Sequence, residues 1–229
     1  MSQTIRLLPF AGADGATNMA LDEALLESAA AGGVASLRFY AWADPTLSLG
    51  YFQPAAERLA DANLARLPFV RRATGGGAIV HHHEHWICRM HHVVQRVLAG
   101  EGVVTHAVAC GEERKLGAVV CFLNQTRGDL VLNGSKVAGS AQRKLRGALL
   151  QHGSILLRRS EFAPALAGVS DAAGAPELKP EPLADLIVTA LAADTGWAVV
   201  PGAWTAEERA RAAAVRAEKY AHPDWNGKR

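Results

Sequence analysis

The stretch GDLVLNGSKVAGSAQRKLRGALLQHGSILL, residues 128–157, decides the fold. Asn133-Gly134 lies between two runs that read as strands, and this dipeptide supplies the positive φ angles of a two-residue type I′ turn. A hairpin follows, with Leu132 opposite Ser135 and Val131 opposite Lys136. Period-two alternation then puts Lys136, Ala138, Ser140 and Gln142 on one face, where the small residues leave room for a ligand along the strand. Gly139 admits another backbone at close range. Taken alone, Lys136 is an edge-strand guard against aggregation; its company decides between that role and a ligand contact.

Outward from the hairpin, residues 147–157 form a further strand beside the basic cluster Arg143, Lys144 and Arg146, which is either a solvated face or a surface for acidic carriers or phosphates. Residues 161–169 read as a short helix, 170–181 as a linker rich in Ala, Gly and Pro, 183–194 as a helix and 197–200 as a strand. Thr205 caps a last helix ending near Tyr220. Upstream, Asp14 or Thr17 caps a helix to about residue 31, with Leu21, Ala24 and Leu25 as its apolar stripe and Gly32-Gly33 as its end. Residues 36–42 and 46–51 read as strands. Pro54 opens a helix to about residue 64, residues 86–99 repeat apolar positions at helical spacing, and 105–109 are a strand.

The chain has 229 residues, 49% of them hydrophobic, and a net charge of +2. That length buries a core without staples in one domain, residues 1–229, and so small a charge gives no footprint for nucleic acid. No apolar run reaches the roughly 18 residues of a membrane span, and the N-terminus lacks a secretory core, so a cytoplasmic protein is expected. Cys88, Cys110 and Cys121 are odd in number and without CxxC spacing, which makes free thiols the expectation.

Phe69 to Arg72 reads as a strand running into Thr74, Gly75, Gly76 and Gly77. Three glycines in a row expose backbone N–H groups and no side chains, which suits a phosphate, carboxylate or acyl carbonyl lying on the chain. With Arg71 and Arg72 beside it, the loop is a candidate substrate site. The run His81 to His85 contains H-x-x-E-H, a zinc-peptidase spacing that needs a helix. Here it follows a strand, where neighbours point to opposite faces, so no metal is expected and alternate histidines, His81 first, are read as lining a cleft.

These residues resemble the lipoate-protein ligase and octanoyltransferase family. The resemblance rests on NMALDEALL at 18–26, LRFYAWADPTLSLGYFQ at 37–53, RRATGGGAIVHH at 71–82, the hairpin with its GSKVAGSAQ, and KYAHPDWN at 219–226, all in the family's order. It implies an α+β fold like that of the class II aminoacyl-tRNA synthetases and biotin synthetases, with a mixed, mainly antiparallel sheet flanked by helices, and the SLGYFQ region lining an acyl pocket. It also implies an acyl-binding role for Lys136 and substrate contacts from Arg71, Arg72, Thr74, Gly75, Gly76, Gly77, His81, Gly139 and Ser140. One departure stands out: family members carry a further strand and loop between the histidines and the next helix, which this chain lacks.

CFLNQTRGDLVLNGSK resembles the octanoyltransferase branch, in which a cysteine fifteen residues before the lysine accepts the acyl group. That implies Cys121 as nucleophile, octanoyl-acyl carrier protein as donor and a lipoyl-domain lysine, such as that of the glycine cleavage H protein, as acceptor, with no cofactor. A thiol of ordinary pKa, about 8.5, is a few per cent thiolate at pH 7, and a nearby ammonium group favours that form. Burying the alkyl chain contributes on the order of 5 kcal/mol at about 0.8 per methylene. The alternatives are a lipoate ligase using ATP and Mg through lipoyl-AMP, which leaves Cys121 unexplained, and a non-catalytic carrier-binding scaffold.

Overall fold

The computed structural model describes residues 3–81, 85, 86, 91–117 and 119–228. The hairpin forms as its turn dictates: Asn133 and Gly134 both take positive φ, 50° and 81°, and Val131 faces Lys136 while Leu132 faces Ser135. A second two-residue turn, Arg146-Gly147, also with positive φ, joins Ser135–Leu145 to Ala148–Leu156 with Leu145 opposite Ala148. These strands sit in a five-stranded antiparallel sheet, in the order His85–Trp86, Ala148–Leu156, Ser135–Leu145, Leu130–Leu132, His106–Ala107.

The expected alternation along Ser135–Leu145 breaks. The register shifts between Leu130 and Val131, so that Leu130 pairs with Ala138 and Val137 is the extra residue of a bulge. Val137 and Ala138 both enter the hydrophobic core. Beyond the bulge the face of Lys136 resumes at Gly139 and Ala141, while Ser140 and Gln142 turn outward to Gln151. Ser140 and Gln142 therefore do not share the lysine's face, because one inserted residue reverses everything after it.

A three-stranded sheet, Phe69–Arg71, Thr46–Leu49, Ile79–His81, carries the glycine loop between its outer strands. A parallel sheet of Ala198–Pro201, Thr4–Leu7 and Ser36–Leu37 joins strands distant in the chain. The architecture is thus mixed α/β with mainly antiparallel pairing, as expected.

Asp14 caps the helix Gly15–Ala30 by accepting from the Thr17 N–H. Of the expected Leu21, Ala24, Leu25 stripe only Ala24 is buried; the buried face is otherwise Asn18, Met19, Ala20, Asp22, Glu23 and Leu26, with Leu21 and Leu25 half-buried. Polar residues are inside because each has a partner: Tyr220 and Lys219 donate to Glu23, and Tyr40 donates to Asp22. Trp86 lies in a strand opposite Ile155, and the helix that follows is His91–Gly100. Residues 161–168 form no helix and the chain then enters a 3-10 turn, Val169–Asp171: Pro164 brings no N–H, and a Cβ on Gly168 would lie 2.4 Å from the Arg158 nitrogen, so that segment must lie flat on the strand end. Among the described residues no helix is long and apolar enough to cross a membrane.

Candidate active site

The long hairpin supplies a wall of a narrow slot: Lys136, Gly139, Ser140 and Ala141 from one strand, His152, Gly153 and Ser154 from its neighbour, with Ser140 reaching it although its hydroxyl turns outward to Gln151. Met19, Trp42, Ile79 and Phe122 close it with apolar surface, and Cys121, Gly76, Arg72 and His81 complete the lining. The slot encloses about 30 Å³, room for a water or two.

Cys121 opens a short 3-10 turn, Cys121–Leu123, pinned to the glycine loop. Its N–H donates to the Ala78 carbonyl at 2.6 Å, and the Ala78 N–H donates to the Val119 carbonyl at 3.0 Å. A Cβ on Gly77 would sit 3.3 Å from the Cys121 Cα, so glycine there sets how closely loop and cysteine approach.

Lys136 is only 4% exposed. Its Nζ lies 3.7 Å from the Cys121 Sγ, 2.8 Å from Asp129 Oδ2 and 5.1 Å from the centre of the Phe122 ring. Asp129 is in turn held by the Thr126 N–H and hydroxyl, at 2.7 and 2.9 Å. Sequence reasoning missed Asp129, although a buried ammonium demands a counter-ion. Gly139 serves this lysine rather than another backbone: a Cβ there would lie 2.3 Å from Lys136 Cε and 2.8 Å from its Nζ. Gly139→Ala should therefore fold, because a flexible side-chain end can yield, while moving the ammonium off the sulfur. We expect at least about a tenfold loss of kcat, since a misplacement of roughly 1 Å at a reacting group costs that much or more; circular dichroism with steady-state kinetics checks it.

The two arginines divide. Arg71 is fully buried, and its guanidinium donates to the carbonyls of Gly50, Tyr51, Gln53, Trp225 and Asn226. It fastens the KYAHPDWN segment to the body of the protein and is not among the residues lining the slot. Arg72 does line it. Its Nη1 donates to Ser48, and its Nη2 donates to the carbonyls of Gly75 and Gly77 at 3.0 and 2.9 Å. Burial pulls the Arg72 guanidinium down to about 10, against the opposing pull of Cys121 and Tyr40, so it stays charged at neutral pH.

With the Gly75 carbonyl turned to Arg72, the trans peptide turns the Gly76 N–H the opposite way, and that N–H finds no acceptor among the described residues. Gly76 holds φ of +86°. The loop is backed by Gly50, where a Cβ would lie 1.7 Å from the Gly76 oxygen. The SLGYFQ region thus supports the loop from behind instead of lining the slot.

His81 stacks on Trp42, ring centres 3.9 Å apart, with its Nε2 2.7 Å from Ser48 Oγ. The rest of the H-x-x-E-H run, and Cys88, lie outside the described side chains. Thr74 is buried against His152, Oγ1 to Nε2 at 2.5 Å, and His152 Nδ1 lies 3.1 Å from Asp22 Oδ2. Burial pushes the Asp22 carboxyl up, but Arg38, His152 and Tyr40 pull it down by more, leaving it below the usual carboxylate value. Neither Asp22 nor His152 was singled out from sequence. For His152 the signal existed, because the second turn places it opposite Ala141 on the slot face.

Residues 14–167 match the family described as the lipoyl protein ligase A/B catalytic domain. Octanoyltransferase LipM of Kyrpidia tusciae is 33% identical over 280 aligned positions that cover 98% of each chain. That alignment exceeds the 229 residues here, so the relative carries residues with no counterpart in this chain. A lipoate-protein ligase A bound with ATP superposes with a TM-score of 0.79 at 21% identity, over 99% of both chains. A bi-partite lipoate protein ligase, solved in work on it and its E2 lipoyl domain from Thermoplasma acidophilum, gives 0.74 at 18%, over 99% of this chain and 96% of that one. At such identities the two structures speak for the fold, while the family match and the full-length relative speak for descent: the chain belongs to the lipoyl protein ligase A/B catalytic domain family.

Proposed function

We propose that this protein is an octanoyltransferase of protein lipoylation, moving an octanoyl group from acyl carrier protein to the lysine of a lipoyl domain through a thioester on Cys121. The observation that carries this reading is the 3.7 Å approach of Lys136 Nζ to Cys121 Sγ at an apolar slot. The name of the full-length relative supports octanoyl as the acyl group, and acceptors built as lipoyl domains, the glycine cleavage H protein among them, follow from lipoylation itself.

In the first step the thiolate attacks the donor's carbonyl carbon, the carbonyl electrons move to oxygen, and the carrier's thiolate leaves as they return. Lys136 holds the thiolate by an N–H to sulfur bond. The oxyanion finds the Gly76 N–H and the Lys136 ammonium, worth roughly 3 kcal/mol per well-placed donor. In the second step the lysine amine attacks the Cys121 thioester, the C–S bond breaks, and the departing sulfur takes the amine's proton to leave Cys121 as a thiol. The alkyl chain fits only when the slot widens, and the unbranched Met19 side chain is the wall suited to move. The whole chain acts as one catalytic unit, since Arg71 binds the C-terminal segment to the strand that leads into the loop.

Incubation with octanoyl-acyl carrier protein, followed by intact-mass analysis, tests this against the alternatives. The expected result is an acyl adduct on Cys121 formed without ATP and discharged by a lipoyl domain. Acylation of the lipoyl domain only with free acid, ATP and Mg would establish a ligase instead. Binding of the carrier without either product would establish a scaffold.

A further inference from the structure

Behind the slot, reaching it through His152, lies a buried relay that the acyl-transfer steps above leave unused. Asp22, on the first helix, and Thr74, at the head of the glycine loop, are joined through the imidazole of His152. All three are at least nine-tenths buried, at 4%, 1% and 5% exposure. An ionised carboxylate only accepts hydrogen bonds, so Asp22 requires a proton on His152 Nδ1. In the neutral ring that leaves Nε2 as an acceptor, and the Thr74 hydroxyl must donate to it. Asp22 is itself oriented by the Tyr40 hydroxyl at 3.1 Å and by Arg38, whose Nε lies 3.6 Å from its other oxygen. The hydroxyl direction of Thr74 is thus dictated from the far side of the histidine.

We infer that Asp22 and His152 form a tautomer-setting pair that locks Thr74, and through it orients the glycine loop so that the Gly76 N–H meets the thioester carbonyl. His152 is then a positioning residue for acyl transfer. This rests on the octanoyltransferase reading. Three anchors hold the loop: His152 takes the Thr74 side chain and the Tyr51 N–H the Thr74 carbonyl at its head, and Arg72 takes the Gly75 and Gly77 carbonyls further along. With the threonine side-chain anchor gone, the peptide bearing the Gly76 N–H keeps the Arg72 bond to its Gly75 carbonyl but loses the side-chain hold at its head, and its glycines allow it to rock about what remains.

The test has two arms on the full chain. Nitrogen-15 NMR of the imidazoles should show the His152 proton on Nδ1 in the wild type and on Nε2 in Asp22→Asn, whose amide donates where the carboxylate accepted. A wild-type ring protonated on Nε2, or on both nitrogens, overturns the inference. In the second arm, the rate at which octanoyl-acyl carrier protein acylates Cys121 is measured for Thr74→Val and Thr74→Ser. We expect Thr74→Val to lower the maximal rate by at least about tenfold with little change in the half-saturating donor concentration, the signature of lost transition-state stabilisation. Thr74→Ser, which restores the hydroxyl, should recover most of that loss. Equal rates in the wild type and Thr74→Val overturn the inference even where Asp22→Asn fails to fold. If the wild type forms no acyl-cysteine, it is the octanoyltransferase reading that fails, and the NMR arm still decides the tautomer.

Discussion

Cys121→Ser is expected to abolish ATP-independent acyl labelling and to lower acyl transfer to a lipoyl domain by at least about 10³-fold, the scale on which loss of a nucleophile is felt when binding and oxyanion donors remain. The two side chains are nearly isosteric, and Cys121 holds the loop through its backbone N–H rather than its sulfur. Folding should therefore be untouched, and the thermal midpoint should stay within a degree or two. Intact-mass analysis against octanoyl-acyl carrier protein, with the melting curve as control, checks both halves. Retention of acyl transfer in the serine variant would remove the covalent step.

Lys136→Met carries the second large effect, and it has two parts that must be separated. The ammonium is buried with the Asp129 carboxylate at 2.8 Å, so deleting it leaves an uncompensated charge inside the protein. That costs about 3–5 kcal/mol, or on the order of 10 °C in melting temperature for a chain of this length. Activity should fall by about 10²–10³-fold for the lost oxyanion donor, beyond any loss from unfolding. The double variant Lys136→Met with Asp129→Asn removes the stranded charge while keeping an acceptor for the Thr126 N–H. It should regain most of the stability and none of the activity. If the double variant recovers transfer along with its melting temperature, the lysine is a structural ion-pair partner only.

Much of this site was legible because it is local in the chain. Asn133-Gly134 forces a turn wherever it is placed and the turn sets the register of Val131 against Lys136, while Cys121 is held beside the lysine by its N–H to the Ala78 carbonyl. The glycine loop could likewise be recognised as exposed backbone. What could not be read is what the bulge does. A single extra residue at Val137 moves Ala138 into the core and Ser140 out to solvent, and nothing in a period-two pattern announces it. The two adjacent arginines were equally opaque: side chains one residue apart point to opposite faces, and only the packed C-terminal segment decides that Arg71 is a clamp while Arg72 reaches the slot.

By itself, then, the sequence determined the hairpin and the register of Lys136, because turn chemistry and strand pairing act over a few residues, and its motifs pointed to the family; Cys121 as the lysine's partner was implied by that resemblance alone. Only the tertiary structure decided which buried charges stand beside that pair. Asp129 arrives from across the hairpin, and Asp22 lies 130 residues from the His152 it orients. Those partners are chosen by desolvation: a charge taken out of water binds whatever opposite charge or donor the fold brings within reach, and that choice is made in three dimensions.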